Sequence, residues 1–356
     1  VTAPAAAPAT VEPAVLAPMV TGIGVACPGT DDPARLLAAG VADPAADGSW
    51  FDVRARLGGR GYKYLPPACH YLLAAARQAL ADAGGCLDRH LPTGRALAVG
   101  TTGAVAALHA EMDSTVVASS ADALSPALAP FFSVNLVAGR VSMEHAIKAF
   151  NLTLNTPAVG GLEALQAGSR AVAAGRATLL LAGATEPAAA RSAGPGAAGT
   201  GAGAAAGGAP VGAVVLVVEP APPAGVVGYG SCVTRTLFLP PRLLATPAGW
   251  RAAVARVQAE VERLVGPAAV AGCHAFTAGS PVGAAVTAAL GRAGLPATQA
   301  PAGTVAGGGC LAPVLRVAGR LAAGGPAELV VATSAQGHVG LTLVRCAAGR
   351  DRRPGC

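Results

Sequence analysis

The sequence predicts an α/β protein made of two repeated halves, stacked as a five-layer α-β-α-β-α body. Three observations carry that expectation. Short apolar runs that read as buried strands alternate with helical stretches, the pattern of mixed sheets covered on both faces. The two halves end alike: GLEALQAGSRAVAAGRATLLLAGATE then GAVVLVVE, and CLAPVLRVAGRLAAGGPAELVVATSA then HVGLTLVR. A chain of 356 residues that is 53% hydrophobic can fill two such units, residues 19–222 and 223–347.

Residues 1–18, rich in Ala and Pro without a basic start, read as a disordered leader rather than a signal peptide. A first strand is expected at 20–26 and a short helix at 31–40. Residues 50–67 read as irregular, with local positive charge from Arg54, Arg56, Arg60 and Lys63. ACHYLLAAARQALADA at 68–83 is an amphipathic helix closed by Gly84. A buried strand at 96–99 leads through a GTTG turn into a helix at 104–116, and another helix lies within 138–150. A β-rich run at 151–156 meets a helix at 160–174, and strands at 177–182 and 212–219 close the first half. The second half reads as strand 226–232, helix 247–265, strand 268–273, helices 282–293 and 311–323, and strands 328–333 and 339–345. Residues 348–356 form a basic tail.

Only 3% of residues are aromatic and 48 are Gly, so the core must be packed by small side chains. The mean hydropathy of +0.52 predicts a large apolar interface with another subunit. The uncharged stretch 192–218 is an Ala/Gly/Pro loop followed by a strand, not a membrane span. The eight Cys form no CxxC pair and no ligand spacing with the six His. They read as reduced, buried thiols of a cytoplasmic protein without a metal. A net charge of +6 without an aromatic-interleaved basic stripe argues against nucleic acid.

The chain is organised around residues 151–175. A strand that turns sharply into a helix is where many enzymes hold a nucleophile, because the helix N-terminus stabilises a thiolate or an oxyanion. Here the turn carries Pro157, Ala158, Val159 and Gly160, none of which can attack.

VTGIGVACPG, the segment NTPAVGGLEALQAGSRAVAAGRATLLLAGATE, FTAGSPVGA, GGGCLAPVLRVAG and ATSAQGHVG resemble, in order, the opening strand, nucleophile segment, two histidine motifs and closing segment of β-ketoacyl synthases. The resemblance spans about residues 20–345 and implies the thiolase-type fold. In active members a Cys takes the acyl chain and two His assist decarboxylation and attack. The Cys position falls on Ala158 and the His positions fall on Phe276 and Gly308, none with the needed group. That triple loss, with VGGLEA after the elbow and VSMEHAIK before the central strand, resembles the chain length factor, the ketosynthase β subunit of type II polyketide synthases.

The resemblance implies a non-catalytic subunit, serving a highly reduced polyene product, that pairs with a ketosynthase α subunit through Asn151, Leu152, Thr153, Leu154 and Asn155. It implies a chain-length tunnel along Ala107, Ala110 and Ser114, with Phe131, Phe132 and Met143 towards its far end. Arg60 and Lys63 are the expected contacts for an acidic acyl carrier protein, whose phosphopantetheine bears the acyl chain; no cofactor of its own is implied. The residues leave two alternatives open: a condensing or acyl-transfer enzyme with a relocated Cys, Cys273 or Cys310, and an acyl-binding scaffold.

Overall fold

The computed structural model describes residues 18–37, 49–188, 210–220, 227–266, 270–277, 279–301 and 309–347. The expected leader, basic tail and most of the Ala/Gly/Pro loop lie outside them. The strands are β1 (Met19–Ala26), β2 (Arg95–Gly100), β3 (Phe150–Leu154), β4 (Leu179–Glu186), β5 (Gly212–Glu219), β6 (Gly230–Phe238), β7 (Val270–Phe276), β8 (Ala297–Gln299), β9 (Ala327–Thr333) and β10 (His338–Cys346). The helices are α1 (Val53–Leu57), α2 (Pro67–Asp82), α3 (Ala106–Ala118), α4 (Leu136–Glu144), α5 (Gly160–Ala173), α6 (Pro241–Leu244), α7 (Pro247–Val265), α8 (Pro281–Arg292) and α9 (Leu311–Ala323).

The strand order is β3-β2-β4-β5-β1-β6-β10-β9-β7-β8. Read outward from its centre it is one five-strand arrangement met twice: β1-β5-β4-β2-β3 on one side, β6-β10-β9-β7-β8 on the other. Among the described residues the two sets pair at Met19↔Ser231 and Val20↔Gly230. Beyond that join β1 has lost its neighbour on one side, and its free backbone donors must go elsewhere. Helix α2 takes them: Ile23 N–H donates to Asp82 Oδ2 at 2.8 Å and Val25 N–H to Gln78 Oε1 at 2.7 Å.

Three cores separate the layers. The central one holds Leu162 and Leu165 of α5 and Leu311, Val314 and Leu315 of α9 against Leu180, Ala182, Leu216, Val330 and Val344. Leu179, Leu181, Val215 and Val217, one residue out of phase on β4 and β5, turn outward to α2. In the second half Leu329, Val331, Leu341 and Leu343 turn outward to α7 and α8. The period of two in these strands therefore feeds a helical layer on each face. β4 and β5 are buried at every position. The five layers are thus α2/α4, sheet, α5/α9, sheet and α7/α8.

Several local expectations are corrected. Residues 50–67 contain the one-turn helix α1, capped by Asp52, whose carboxylate accepts from Ala55 N–H at 3.0 Å. The helix expected at 31–40 is a single 3-10 turn, Pro33–Arg35, within the described residues. The strand read at 177–182 lies at β4, displaced towards Glu186, and the one read at 226–232 lies at β6. The short edge strand β8 was not anticipated.

Helix α2 lies against β1 so closely that a Cβ at Gly24 would sit 1.9 Å from Ala75 O, and one at Gly22 2.2 Å from Ala79 O. Gly24→Ala is therefore expected to lower stability by roughly 2 kcal/mol or more, read as a drop in the denaturation midpoint. An unchanged midpoint would show that α2 can move away from the sheet at no cost.

Candidate active site

β3 ends at Leu154 and α5 begins at Gly160. The turn between them is tight: Val159 N–H donates to Pro157 O at 2.8 Å and Gly160 N–H to Thr156 O at 2.9 Å. Ala158 sits at its apex with φ +62°, the left-handed region that side-chain-bearing residues avoid. The helix behind it is held by backbone contact. A Cβ on Gly100 would lie 2.2 Å from Gly161 N, and a Cβ on Gly161 would lie 2.5 Å from Val314 Cγ2 and 2.8 Å from Cys310 O. Glycine at these positions lets β2, α5 and the start of α9 meet without side chains between them.

The junction is locked by Glu186 at the end of β4, 5% exposed. Its carboxylate accepts from Thr102 N–H and Gly103 N–H, each at 2.9 Å, from Thr102 Oγ1 at 2.8 Å and from Cys310 N–H at 3.1 Å. Thr101 Oγ1 at 3.5 Å and Cys310 Sγ at 3.3 Å complete the set. One carboxylate thereby ties the turn after β2 to the first turn of α9. This residue escaped the sequence reading; the only signal was a carboxylate ending the apolar run LLLAGATE.

The sequence-predicted positions fall as follows. Ala158 is 4% exposed, and Phe276, closing β7, is 5% exposed and packs into the central core. Gly308 lies outside the described residues. A methyl group and a phenyl ring neither attack nor donate a hydrogen bond, so acyl transfer has no nucleophile here.

The two cysteines considered as replacements are sealed. Cys310 is wholly buried, and burial, the Glu186 charge and the hydrogen bond to that carboxylate push its thiol well above the ordinary range. It is a hydrogen-bond donor, not a thiolate. Cys273 faces the opposite, outer core, and burial pushes it up to about 12. His274, its neighbour on β7, points to the inner face, with its ring 5.0 Å from that of Phe276. The pair cannot act on each other.

β3 is an edge strand, paired with β2 alone, and Asn151, Leu152 and Asn155 are exposed while Thr153 and Leu154 are half-buried. Helix α3 has no buried residue. Ala107, Ala110 and Ser114, expected to line a tunnel, stand exposed on it. Phe132 and Met143 are exposed as well, at 55% and 74%, whereas Phe131 is half-buried against the outer core. His109 of α3 lies 2.7 Å from Phe132 O, with the two rings 5.5 Å apart. Among the described residues, Ala107, Ala110 and Ser114 line no enclosed space.

Arg54, Arg60 and Lys63 are exposed, and Arg56 is engaged with Asp31 at 2.5 Å. Lys63 rests over the Tyr64 ring at 5.3 Å. Their loop is pinned to α2 and α4: Arg77 donates to Glu144 at 2.5 Å, to Tyr62 Oη at 2.6 Å and to Leu57 O at 3.0 Å. Burial raises the Glu144 pKa, but the hydrogen bond and charge of Arg77 outweigh it and hold the carboxyl below its usual range. No group of His, Cys, Asp and Glu among the described residues could hold a metal ion, and no described helix is long and apolar enough to cross a membrane.

The family description "Beta-ketoacyl synthase, N-terminal domain" matches residues 50–202. Among solved structures, "The ishigamide ketosynthase/chain length factor" superposes with TM-score 0.70 at 24% identity, over 93% of this chain and 99% of that one. The chain has the ketosynthase fold. A "type II PKS acyl-carrier protein in complex with its ketosynthase bound to the hexaketide" gives TM-score 0.67 at 16% identity, again over 93% and 99%. A β-ketoacyl synthase from Burkholderia phymatum STM815 gives 0.59 at 16% over the same shares. No curated protein matches significantly. The ketosynthase fold accounts for the duplicated strand order and for an elbow between β3 and α5.

Because Cys27, Cys69, Cys232 and Cys273 are each pushed up to about 12 and Cys86 to about 11, mainly by burial, they are thiols at pH 8. Mass spectrometry after iodoacetamide treatment of the folded chain should find these five, and Cys310, unmodified. Rapid labelling of Cys273 or Cys310 would reinstate a relocated nucleophile.

Proposed function

We propose that this chain is a chain length factor: a non-catalytic ketosynthase-fold subunit that pairs with an active ketosynthase and shapes the tunnel that sets polyketide length. The observation that carries the reading is the elbow, kept at φ +62° while its residue is Ala158 and the position of a catalytic histidine is the buried Phe276. The likeness to a ketosynthase/chain length factor structure supports it.

The partner is a ketosynthase α subunit, and the contact is the edge strand β3, from Asn151 to Asn155. An edge strand leaves a row of backbone donors and acceptors open to pairing. Leu152 on this strand and Met143 on the adjoining α4 are 40% and 74% exposed, apolar groups that association would cover. The acyl carrier protein is the second partner, met by Arg60 and Lys63, since carriers of negative charge are steered by exposed cations. No cofactor is required beyond the carrier's phosphopantetheine arm, and the assembly is cytoplasmic.

Co-expression with a ketosynthase α subunit followed by size-exclusion chromatography should give a heterodimer, and an acyl thioester should label only the partner. A stable, soluble monomer favours the scaffold alternative, and a labelled Cys in this chain favours the enzyme. Ala158→Cys alone should leave the chain unlabelled, because neither histidine position is restored.

The same reading makes Ala107, Ala110 and Ser114 the tunnel wall, spaced to share one face of α3. Ala110→Trp should shorten the product while the heterodimer persists, as product mass spectrometry would show. An unchanged product from an intact dimer removes Ala110 from the wall.

A further inference from the structure

A cavity of about 330 Å³ opens between α9 and the outer strands of the second half, lined in part by Gly272, His274, Thr298, Arg316, Arg320 and Glu328. It exists because of register. Gly272 of β7 stands opposite Glu328 of β9, and a Cβ at Gly272 would meet nothing within 4 Å. Two residues along the same face, His274 stands opposite Thr298 of the edge strand β8. Arg316 and Arg320 descend from α9 one turn apart, the spacing that places two side chains together.

The charges in this cavity do not balance. Glu328 is 8% exposed and gives both oxygens to Arg316, with Nε at 2.7 Å and an Nη at 3.1 Å. Arg320, 18% exposed, is left 3.8 Å from the same carboxylate, and its buried Nε has no hydrogen-bond partner among the described residues. Two guanidinium groups thus share one carboxylate, and among the described residues no other acidic residue lines the cavity. His274 does not supply the missing anion; burial and then Arg316 lower its pKa, keeping it neutral at pH 7 and able to take part in a hydrogen bond. A partly desolvated cation with only a shared counter-charge is costly, and a bound anion lowers that cost.

We propose that this cavity is a binding site for a small oxyanion, held by the free edges of Arg316 and Arg320 with His274 and Thr298 beside it. At roughly 30 Å³ per water the space holds about ten waters, enough for an inorganic phosphate or a short carboxylate with part of its hydration shell. A planar, multi-donor guanidinium pair suits either anion. The site is separate from the elbow and stands whether or not the chain is a chain length factor.

The test uses the full-length chain, purified with its dimer partner where one is required, titrated with sodium phosphate or sodium acetate at constant ionic strength set by chloride. At 20 mM anion the unfolding midpoint of this chain should rise by about 2 °C above the chloride control, and the His274 ring should titrate at higher pH by NMR as the anion binds. Arg320→Gln should abolish both effects. Gly272→Leu, which fills the space and leaves every charge in place, should abolish them too. The larger response identifies phosphate or carboxylate as the preferred source. No response beyond chloride in the wild type, or a response that survives both substitutions, overturns the proposal.

Discussion

The backbone contact among β2, α5 and α9 is the constraint on which the rest of the structure depends. Gly100 and Gly161 bring strand and helix together with no side chain between them, and Gly161 in turn admits Val314 and the Cys310 carbonyl. Because α5 and α9 belong to different halves, this one point fixes the middle layer and with it the spacing of both sheets. Glu186 completes the joint. Its acceptors are used by donors from the turn after β2 and from the head of α9, so the buried charge is fully hydrogen-bonded rather than isolated.

The scarcity of aromatic residues follows from the same geometry. A middle layer built on glycine and alanine contacts has room for Val and Leu but little for rings, and the chain is 3% aromatic. Large apolar side chains that stay exposed lie in both halves, among them Val117, Phe132 and Met143 in the first and Phe238 and Leu243 in the second. The second half adds an imbalance of another kind, surplus positive charge around Arg316 and Arg320.

The architecture was legible because it is written in local patterns. Buried strands read as short apolar runs, and α7 and α9 read to the residue because their ends are marked: Thr246 accepts from Gly249 N–H, and Gly266 and Gly324 follow the last turns. The elbow was legible as a strand meeting a helix. β8 was not, since three residues of mixed exposure carry no periodicity. Nor was Glu186, whose partners come from segments 83 to 124 residues away. The Arg316, Arg320, His274 and Glu328 group was hidden for the same reason: a helix and two strands must be assembled before its charges meet. Ala107, Ala110 and Ser114 do share one helix, α3, where all three are exposed.

Ala158 carries one more meaning. A backbone held at positive φ costs about 1 kcal/mol or more for any residue with a Cβ, and where a nucleophile occupies such a turn the strain is commonly credited to catalysis. Here the apex carries only a methyl group, and the bend is present all the same. Whatever compels the bend must therefore lie outside the side chain, in the glycine-to-glycine seat that α5 takes against β2. The elbow is a solution to a packing problem before it is a catalytic device. The residue at its apex can change and the shape remain, because the shape is held by backbone contacts elsewhere in the chain.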